Sequence, residues 1–314
     1  MIKQKIQTFL WHSPIKTIYK KLFWRYKTWI NFYPLFLCNY RCPYCVITNN
    51  EYDKKVKPRG TGEEWAESLN KFGKSFIGMC GGEPFLWKEL EDFLSNVRKD
   101  TFVTIPTNGS IKINDSLMKV LSSKKNLTIS VTWHPFGKMN IGEFIENVKV
   151  MQKEDIKVQS SAVAYPDDKI WHKLKDYNKL FKKEGIPFEI ATYIFPEFNY
   201  TEEQKRYLID EVGIPNPCRK EMFDFDSNPR KKTCVAGQKY LFIVPDGNVY
   251  ICNSRYFCAT SEFHKKYKIP LNEAFLGNVF DGFEYRKDGY FGNKYCTLPC
   301  SEACDRVWGN VKEI

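Results

Sequence analysis

At 314 residues the chain can bury a sizeable core, as one large domain or as a domain of about 200 residues with an appendage. Its 43% hydrophobic and 16% aromatic content excludes a disordered chain, and without a run of about 18 uncharged apolar residues or an apolar leader it reads as cytoplasmic. The formal charge of +11 is concentrated, with seven basic residues and no acid in residues 1–32, so the rest of the chain, near +4, carries no nucleic-acid footprint.

In chain order, "SPIKTIYKKLFWRYKTWI" comes first, with Ser13 a good N-cap and Pro14 a good first helical residue. Ile15, Ile18, Tyr19, Leu22, Phe23, Tyr26, Trp29 and Ile30 then fall on one face, and Lys16, Lys20, Lys21, Arg25 and Lys27 lie off it. Residues 1–32 therefore read as a basic amphipathic N-terminal helix. Its apolar stripe either covers an open side of the domain that follows or lies on an anionic membrane surface, a peripheral contact that would suit a lipid-linked substrate. Nucleic acid ranks third, because no recognised RNA-binding module accompanies the helix.

Between residues 33 and 194 short apolar runs alternate with longer amphipathic stretches, the pattern of βα units around a parallel sheet. Strands are expected at Tyr33–Leu37, Ser75–Met79, Thr101–Pro106, Leu127–Thr132, Lys157–Ala164 and Phe188–Ile194. Helices are expected at 62–72, 87–98, 114–122, 141–154, 168–184 and 201–211, opened by capping residues such as Thr61 and Asn114. Residues 33–211 thus read as an α/β domain, a partial (βα)6 barrel two units short of a closed one. Cys38, Gly81–Gly82 and Asn108 each follow a strand end, where such folds gather their chemistry.

After residue 211 the helical rhythm stops. Residues 212–233 read as a linker into a small cysteine-rich β-hairpin and helix module at 234–314. There "YLFIVPDGNVYIC", residues 240–252, has β-branched and aromatic runs flanking a Pro-Asp-Gly-Asn turn.

The eleven cysteines form two clusters in a long chain, which favours reduced, metal-binding thiols over disulfides. In "LCNYRCPYC", Cys38, Cys42 and Cys45 stand at spacings of four and three, with Tyr44 before the last. Three ligands are one short of a closed zinc site, and a 4Fe–4S cube held by three cysteines leaves one iron for a ligand that is not protein. "GGEP", Gly81–Pro84, ends the second expected strand, where two glycines let the backbone approach a ligand and Glu83 can pair with an ammonium; an ordinary βα turn is the alternative.

Together these motifs resemble the radical S-adenosylmethionine enzymes. The resemblance implies that Cys38, Cys42 and Cys45 hold a 4Fe–4S cluster whose free iron is chelated by S-adenosylmethionine. One electron would then break a carbon–sulfur bond, and the resulting 5'-deoxyadenosyl radical would abstract a substrate hydrogen. It assigns Gly81, Gly82, Glu83 and Pro84 to the methionine amino group, and places Tyr44 and Asn108, in "TNGS", beside the cofactor. By position, Ser130 and Ser160 or Ser161 are candidates for contacts to the ribose and the methionine carboxylate, each with a plain strand serine as the alternative. His134, in "TWHP", lies on the same rim, as a substrate contact or as a structural histidine.

Cys234 and Cys252 bracket the hairpin as C-x12-G-x4-C, and "CTLPCSEAC" adds Cys296, Cys300 and Cys304. This resembles the SPASM and twitch extensions of the same enzymes, lacks the CxxC pair of a full SPASM domain, and so implies one auxiliary iron–sulfur cluster of the shorter twitch type. Its expected ligands are Cys234, Cys252 and two of Cys296, Cys300 and Cys304, with Cys258 unassigned and a zinc-stapled domain as the alternative. Cys80 and Cys218 are left over, as hydrogen-atom donors to a substrate radical or as inert buried thiols.

The expected activity is hydrogen abstraction leading to oxidation, epimerisation or rearrangement of a small molecule or sugar moiety, with a flavodoxin- or ferredoxin-type electron donor. A ribosomal-peptide-modifying enzyme is the nearest rival. A metal-stapled protein docking on a membrane or nucleic acid is the non-enzyme rival.

Overall fold

The computed structural model describes residues 28–168, 170–193, 198, 200–214, 232–234, 236–262, 270–286 and 311–313. The expected N-terminal helix up to residue 27, most of the linker, Cys218, Cys296, Cys300 and Cys304 lie outside the described residues, as does the side chain of Cys234.

The barrel alternates as its sequence pattern requires. β1 (Thr28–Phe32) leads through the short helices α1 (Val46–Asn49) and α2 (Tyr52–Lys55) into α3 (Gly62–Asn70). There follow β2 (Ser75–Met79), α4 (Leu90–Asn96), β3 (Phe102–Thr107), α5 (Asp115–Ser123), β4 (Leu127–Trp133), α6 (Ile141–Lys153), β5 (Val158–Ala164), α7 (Leu174–Lys183), β6 (Phe188–Thr192) and α8 (Glu202–Arg206). Thr61 and Asn140 form reciprocal capping boxes with Glu64 and Glu143, and Asn114 caps α5, which fixes where these helices begin. Then come β7 (Lys232–Cys234), β8 (Tyr240–Ile243), β9 (Asn248–Tyr250), α9 (Asn253–Thr260), β10 (Phe275–Asn278), β11 (Gly282–Phe283) and β12 (Val311–Glu313).

Ten strands form one open sheet in the order β11-β10-β9-β8-β1-β2-β3-β4-β5-β6, and β7 pairs with β12 apart from it. β1 to β6 are mutually parallel, which confirms the partial-barrel reading. Two expectations need correction. The first strand lies at Thr28–Phe32, inside the segment read as helix, and the expected Tyr33–Leu37 is the loop that leaves it. All five residues of β1 are buried because it runs between β2 and β8, so it lacks the alternation that marks a half-buried strand. In addition, β8 pairs in parallel with β1, so the hairpin of the expected second module extends the barrel's own sheet.

Alternation along the strands separates two faces. Ile30, Phe32, Val103, Ile105, Ile129 and Val131 pack under the helices with Trp65, Phe93 and Phe144 in the main core. On the opposite, inner face lie Trp29, Phe76 and Phe102, stacked in series with ring centroids 3.9 and 5.4 Å apart. Beyond them along the inner face come Asn31, Gly78, Thr104 and Thr128, paired across adjacent strands. No helix among the described residues is long and apolar enough to cross a membrane.

Candidate functional site

The cysteine loop is held at three strand ends. Leaving β1, Tyr33 N donates to Ile243 O (2.8 Å) at the end of β8. On the other side Cys80 N donates to Phe32 O (2.7 Å), Gly82 N to Leu35 O (3.0 Å) and Glu83 N to Leu37 O (2.9 Å), so the β1/β2 ladder continues into the loop. That continuation requires the glycine pair. A Cβ on Gly81, whose φ is +117°, would lie 2.2 Å from Leu35 O, and one on Gly82 would lie 1.9 Å from Leu37 O. The close approach anticipated toward a ligand is here made to the backbone that carries Cys38.

Glu83 is buried and accepts three hydrogen bonds, from Thr107 Oγ1 (2.7 Å), Asn108 N (2.8 Å) and Phe85 N (3.1 Å). Burial pushes its pKa up, opposed by these donors. The carboxyl expected to meet an ammonium therefore ties the end of β2 to the end of β3 and stiffens the turn through Pro84. Asn108 extends the tie: its Nδ2 donates to Asn39 Oδ1 (2.9 Å) and lies 3.9 Å from Cys38 Sγ, while Ser110 N donates to its Oδ1 (2.9 Å). Thr107, Asn39 and Ser110 escaped the sequence reading, although two of them belong to the "TNGS" stretch already noted.

Within the loop Cys38 Sγ accepts from Tyr40 N (3.4 Å), and Cys45 N donates to Cys42 O (3.0 Å) and begins α1. Burial above all, with a smaller contribution from the neighbouring cysteines, raises Cys38 to about 11 and Cys42 to about 12. Such a group of thiols gives up its protons when a metal centre supplies positive charge, which is the behaviour a cluster site needs. No three Cys, His, Asp or Glu side chains among the described residues converge on a single-ion site. A cube does not ask them to, since each thiolate binds its own iron.

Tyr44 links the cysteines to an aromatic group: its side chain hydrogen-bonds Cys42 while its ring joins three others. Its ring centroid lies 5.1 Å from Tyr165, 5.8 Å from Phe136 and 6.2 Å from Tyr193. Its hydroxyl and His134 Nδ1 are 2.5 Å apart. Burial holds His134 down to about 4 and keeps Tyr44 protonated, so a neutral imidazole and a neutral phenol share this hydrogen bond.

The remaining candidates separate by face. Ser161 is on the inner face, its Oγ 3.1 Å from Thr132 Oγ1. Ser160 points the other way, 2% exposed with an unpartnered hydroxyl, and is corrected out of the site because a one-residue step along a strand reverses the side chain. Ser130 shares the inner face but stands in mid-strand, below the rim that carries His134. Cys80 follows β2 on the inner face, its thiol pushed to about 12 by burial and so keeping its hydrogen.

The second cysteine region is anchored to the first. Cys252 caps α9, its Sγ accepting from Arg255 N (3.4 Å), and it packs against Tyr240 and against Ala236, which is two residues beyond Cys234. Cys258 is buried within α9. Tyr33, Phe36, Tyr52, Phe242, Tyr256 and Phe257 share one cluster with Cys45 and Cys252. Tyr52 and Thr260 join hydroxyls at 2.7 Å, and Glu262 N donates to Asn50 Oδ1 (2.8 Å).

Residues 33–172 match the Radical SAM superfamily. GTP 3',8-cyclase of Aquifex aeolicus is 25% identical over 234 residues, covering 68% of this chain and 69% of the relative. A probable GTP 3',8-cyclase of Methanococcus maripaludis is 27% identical over 231 residues, covering 68% and 75%. Among solved structures, Streptococcus suis SuiB bound to S-adenosylmethionine superposes with a TM-score of 0.57 at 16% identity, covering 86% of this chain and 66% of its own. The protein anSMEcpe with bound AdoMet and a peptide gives 0.51 at 15% identity, covering 86% and 82%. The chain thus spans just under two thirds of SuiB, and at these identities the likeness is one of fold.

Proposed function

We propose, on the premise that residues 33–172 form a Radical SAM domain, that this chain is a radical S-adenosylmethionine enzyme acting on a small polar molecule or sugar moiety. The observation that carries it is the joining of the Cys38–Cys45 loop to the Gly81–Glu83 turn by backbone hydrogen bonds, which sets three thiols beside a strand end. When bound, a 4Fe–4S cluster at Cys38, Cys42 and Cys45 and S-adenosylmethionine beside it supply a 5'-deoxyadenosyl radical able to abstract a substrate hydrogen.

The chain's own residues do the rest. Gly81, Gly82 and Glu83 hold the loop in register with β2 and β3. Tyr44, Phe136, Tyr165 and Tyr193 form an apolar wall that keeps water from the rim. His134, neutral and with its ring held by Tyr44, offers its second ring nitrogen to the substrate. Cys80, with its hydrogen retained, stands on the inner face where a substrate radical could take that hydrogen. Cys234 and Cys252, with ligands from Cys296, Cys300 and Cys304, would hold an auxiliary cluster, and a flavodoxin- or ferredoxin-type protein would donate the electron.

The relatives' GTP 3',8-cyclase chemistry is the second reading. A triphosphate calls for a cationic clamp, which β1 to β6 do not supply, so it would have to come from the loops after the strands. SuiB has also been solved with a precursor peptide bound, so a peptide belongs in the assay. In the anaerobically reconstituted full chain we expect about eight irons and formation of 5'-deoxyadenosine under reductant. Replacing Cys38, Cys42 and Cys45 together by Ala should abolish that product and leave roughly half the iron. Absence of the product from the unmodified chain would overturn the reading, and complete iron loss in the variant would count against a second cluster.

A further inference from the structure

The end of the barrel opposite the cysteine loop carries charge that the candidate site does not use. β1 to β6 and β8 run parallel, so their starts lie at one end and the loops that enter them stand side by side there. Hydrogen bonds tie those loops into a continuous edge. Asn70 Oδ1 accepts from Arg98 N (2.9 Å), Asn126 Nδ2 donates to Lys99 O (2.9 Å), and Lys157 Nζ donates to Lys125 O (3.0 Å).

Along this edge one sign of charge recurs. Lys71 stands before β2, Lys99 before β3, Lys124 and Lys125 before β4, Lys157 before β5 and Lys182 before β6. All but Lys124 are exposed, and none of them makes an ion pair among the described residues. Of the acids in these loops, Asp100 is paired with Arg98 and Glu184 with Lys149, which leaves Glu154 and Asp155. Burial, and after it the Lys99 ammonium, lower the pKa of Lys124, as crowding of like charge requires. Helix dipoles favour lysines at helix C-termini, but Lys99 and Lys157 lie past the ends of α4 and α6. At the other end of the strands the signs mix: Lys88 lies between Glu83 and Glu89 after β2, and Asp167 and Asp168 precede Lys173 after β5.

Two further features belong to the charged end. Where β6 starts, a cavity of about 400 Å³ is lined by Lys179, Lys182, Asn178, Ile186 and Phe188. Ammonium groups beside apolar side chains suit a molecule that is anionic at its head and apolar behind it. Residues 1–27, which hold seven basic residues and no acid, join the chain to this end at Thr28. Tyr285, 41% exposed, hydrogen-bonds the Thr28 side chain and adds an amphipathic ring there.

We propose that the strand-start end of the barrel is a docking face for an anionic phospholipid bilayer, with the cavity at β6 receiving a headgroup phosphate. Basic clusters are drawn to such a surface within a Debye length, and salt screens the attraction. Nucleic acid shares the charge, but not the pairing of anionic head and apolar chain that the cavity matches. Docked in this way, the barrel turns its cysteine loop, at the far ends of the strands, away from the lipid. The face is independent of the chemistry proposed at that far end.

The test sediments the anaerobically reconstituted full chain with vesicles of phosphatidylcholine alone and of phosphatidylcholine mixed with phosphatidylserine. The protein should sediment with the mixed vesicles, be released by high salt, and stay in solution with phosphatidylcholine alone. Lys99→Glu, Lys125→Glu and Lys182→Glu combined should weaken binding about ten-fold or more, while 5'-deoxyadenosine formation and the melting temperature do not fall. If that variant fails to fold, Lys99→Gln, Lys125→Gln and Lys182→Gln combined should show a smaller loss in the same direction. No sedimentation with the mixed vesicles, or equal sedimentation with both kinds, would overturn the proposal. Equal binding by a folded variant would overturn the face and leave residues 1–27 as the attachment. Tighter binding of single-stranded RNA than of mixed vesicles would overturn the bilayer as its occupant.

Discussion

The two cysteine-bearing regions are held by different means. The Cys38–Cys45 loop is fixed by backbone hydrogen bonds to the ends of β2 and β8 and by the Glu83–Asn108 network reaching β3. Cys252 is held at a helix start, and its helix is tied to the loop through side chains, Tyr52 to Thr260 and the aromatic cluster between them. Backbone registration leaves a loop almost no freedom, whereas side-chain packing yields by small amounts when one contact is lost. The first region is therefore built to be rigid, and the second to follow it.

Gly82→Ala should break this contrast most severely. Its Cβ meets a backbone carbonyl at 1.9 Å, which no rotamer change relieves, so the loop must detach from β2. We expect a loss of more than about 4 kcal/mol in stability or, if the fold survives, loss of the iron held by Cys38, Cys42 and Cys45. Wild-type melting and wild-type iron in this variant would show that the glycine pair does not set the loop.

The aromatic group beside the loop gives a second, pH-dependent test. His134 stays neutral in the fold down to about 4, while in the unfolded chain it takes up a proton near its ordinary value of about 6.5. Protons bind the unfolded state first as pH falls, so stability from this group is complete above about 6.5 and is lost toward 4, by up to about 3 kcal/mol. His134→Phe should flatten that part of the stability profile measured by denaturant titration. An identical slope in both proteins would show that His134 is not the group responsible.

Tyr52→Phe probes the softer region and should do the least. It removes one hydroxyl pair and keeps the ring, so a loss of about 1 kcal/mol is expected, with the iron content unaltered. A collapse comparable to that of Gly82→Ala would mean that the C-terminal helix bears on the loop far more strongly than its contacts indicate.

Much of the barrel was legible because its strands alternate. β2 falls at Ser75–Met79 as expected, and β3 to β5 differ from expectation by a residue at their ends. β1 escaped because a strand buried on both faces presents a continuous apolar run, and Trp29 and Ile30 happened to extend a helical spacing from Tyr26. The candidate site could be proposed from sequence where chemistry demands particular residues, in Cys38, Cys42, Cys45 and the glycine pair, whose loops the structure joins by backbone hydrogen bonds. It was opaque where facing decides, as between Ser160 and Ser161, and where partners come from other strands, as with Thr107 for Glu83 or Tyr165 for Tyr44.

The pairing of β8 with β1 bears on the order in which the molecule can be made. β1 emerges early in synthesis, but Trp29 pairs with Tyr240, so one flank of the strand waits for most of the chain to appear. Until then β1 is an unprotected edge, rich in aromatic residues and open to pairing with another nascent chain. The cysteine loop beside it is likewise half supported during that interval. Loading of iron and sulfide is therefore expected late, after residue 243 has left the ribosome, and a chain cut short before β8 should aggregate instead of forming an empty barrel.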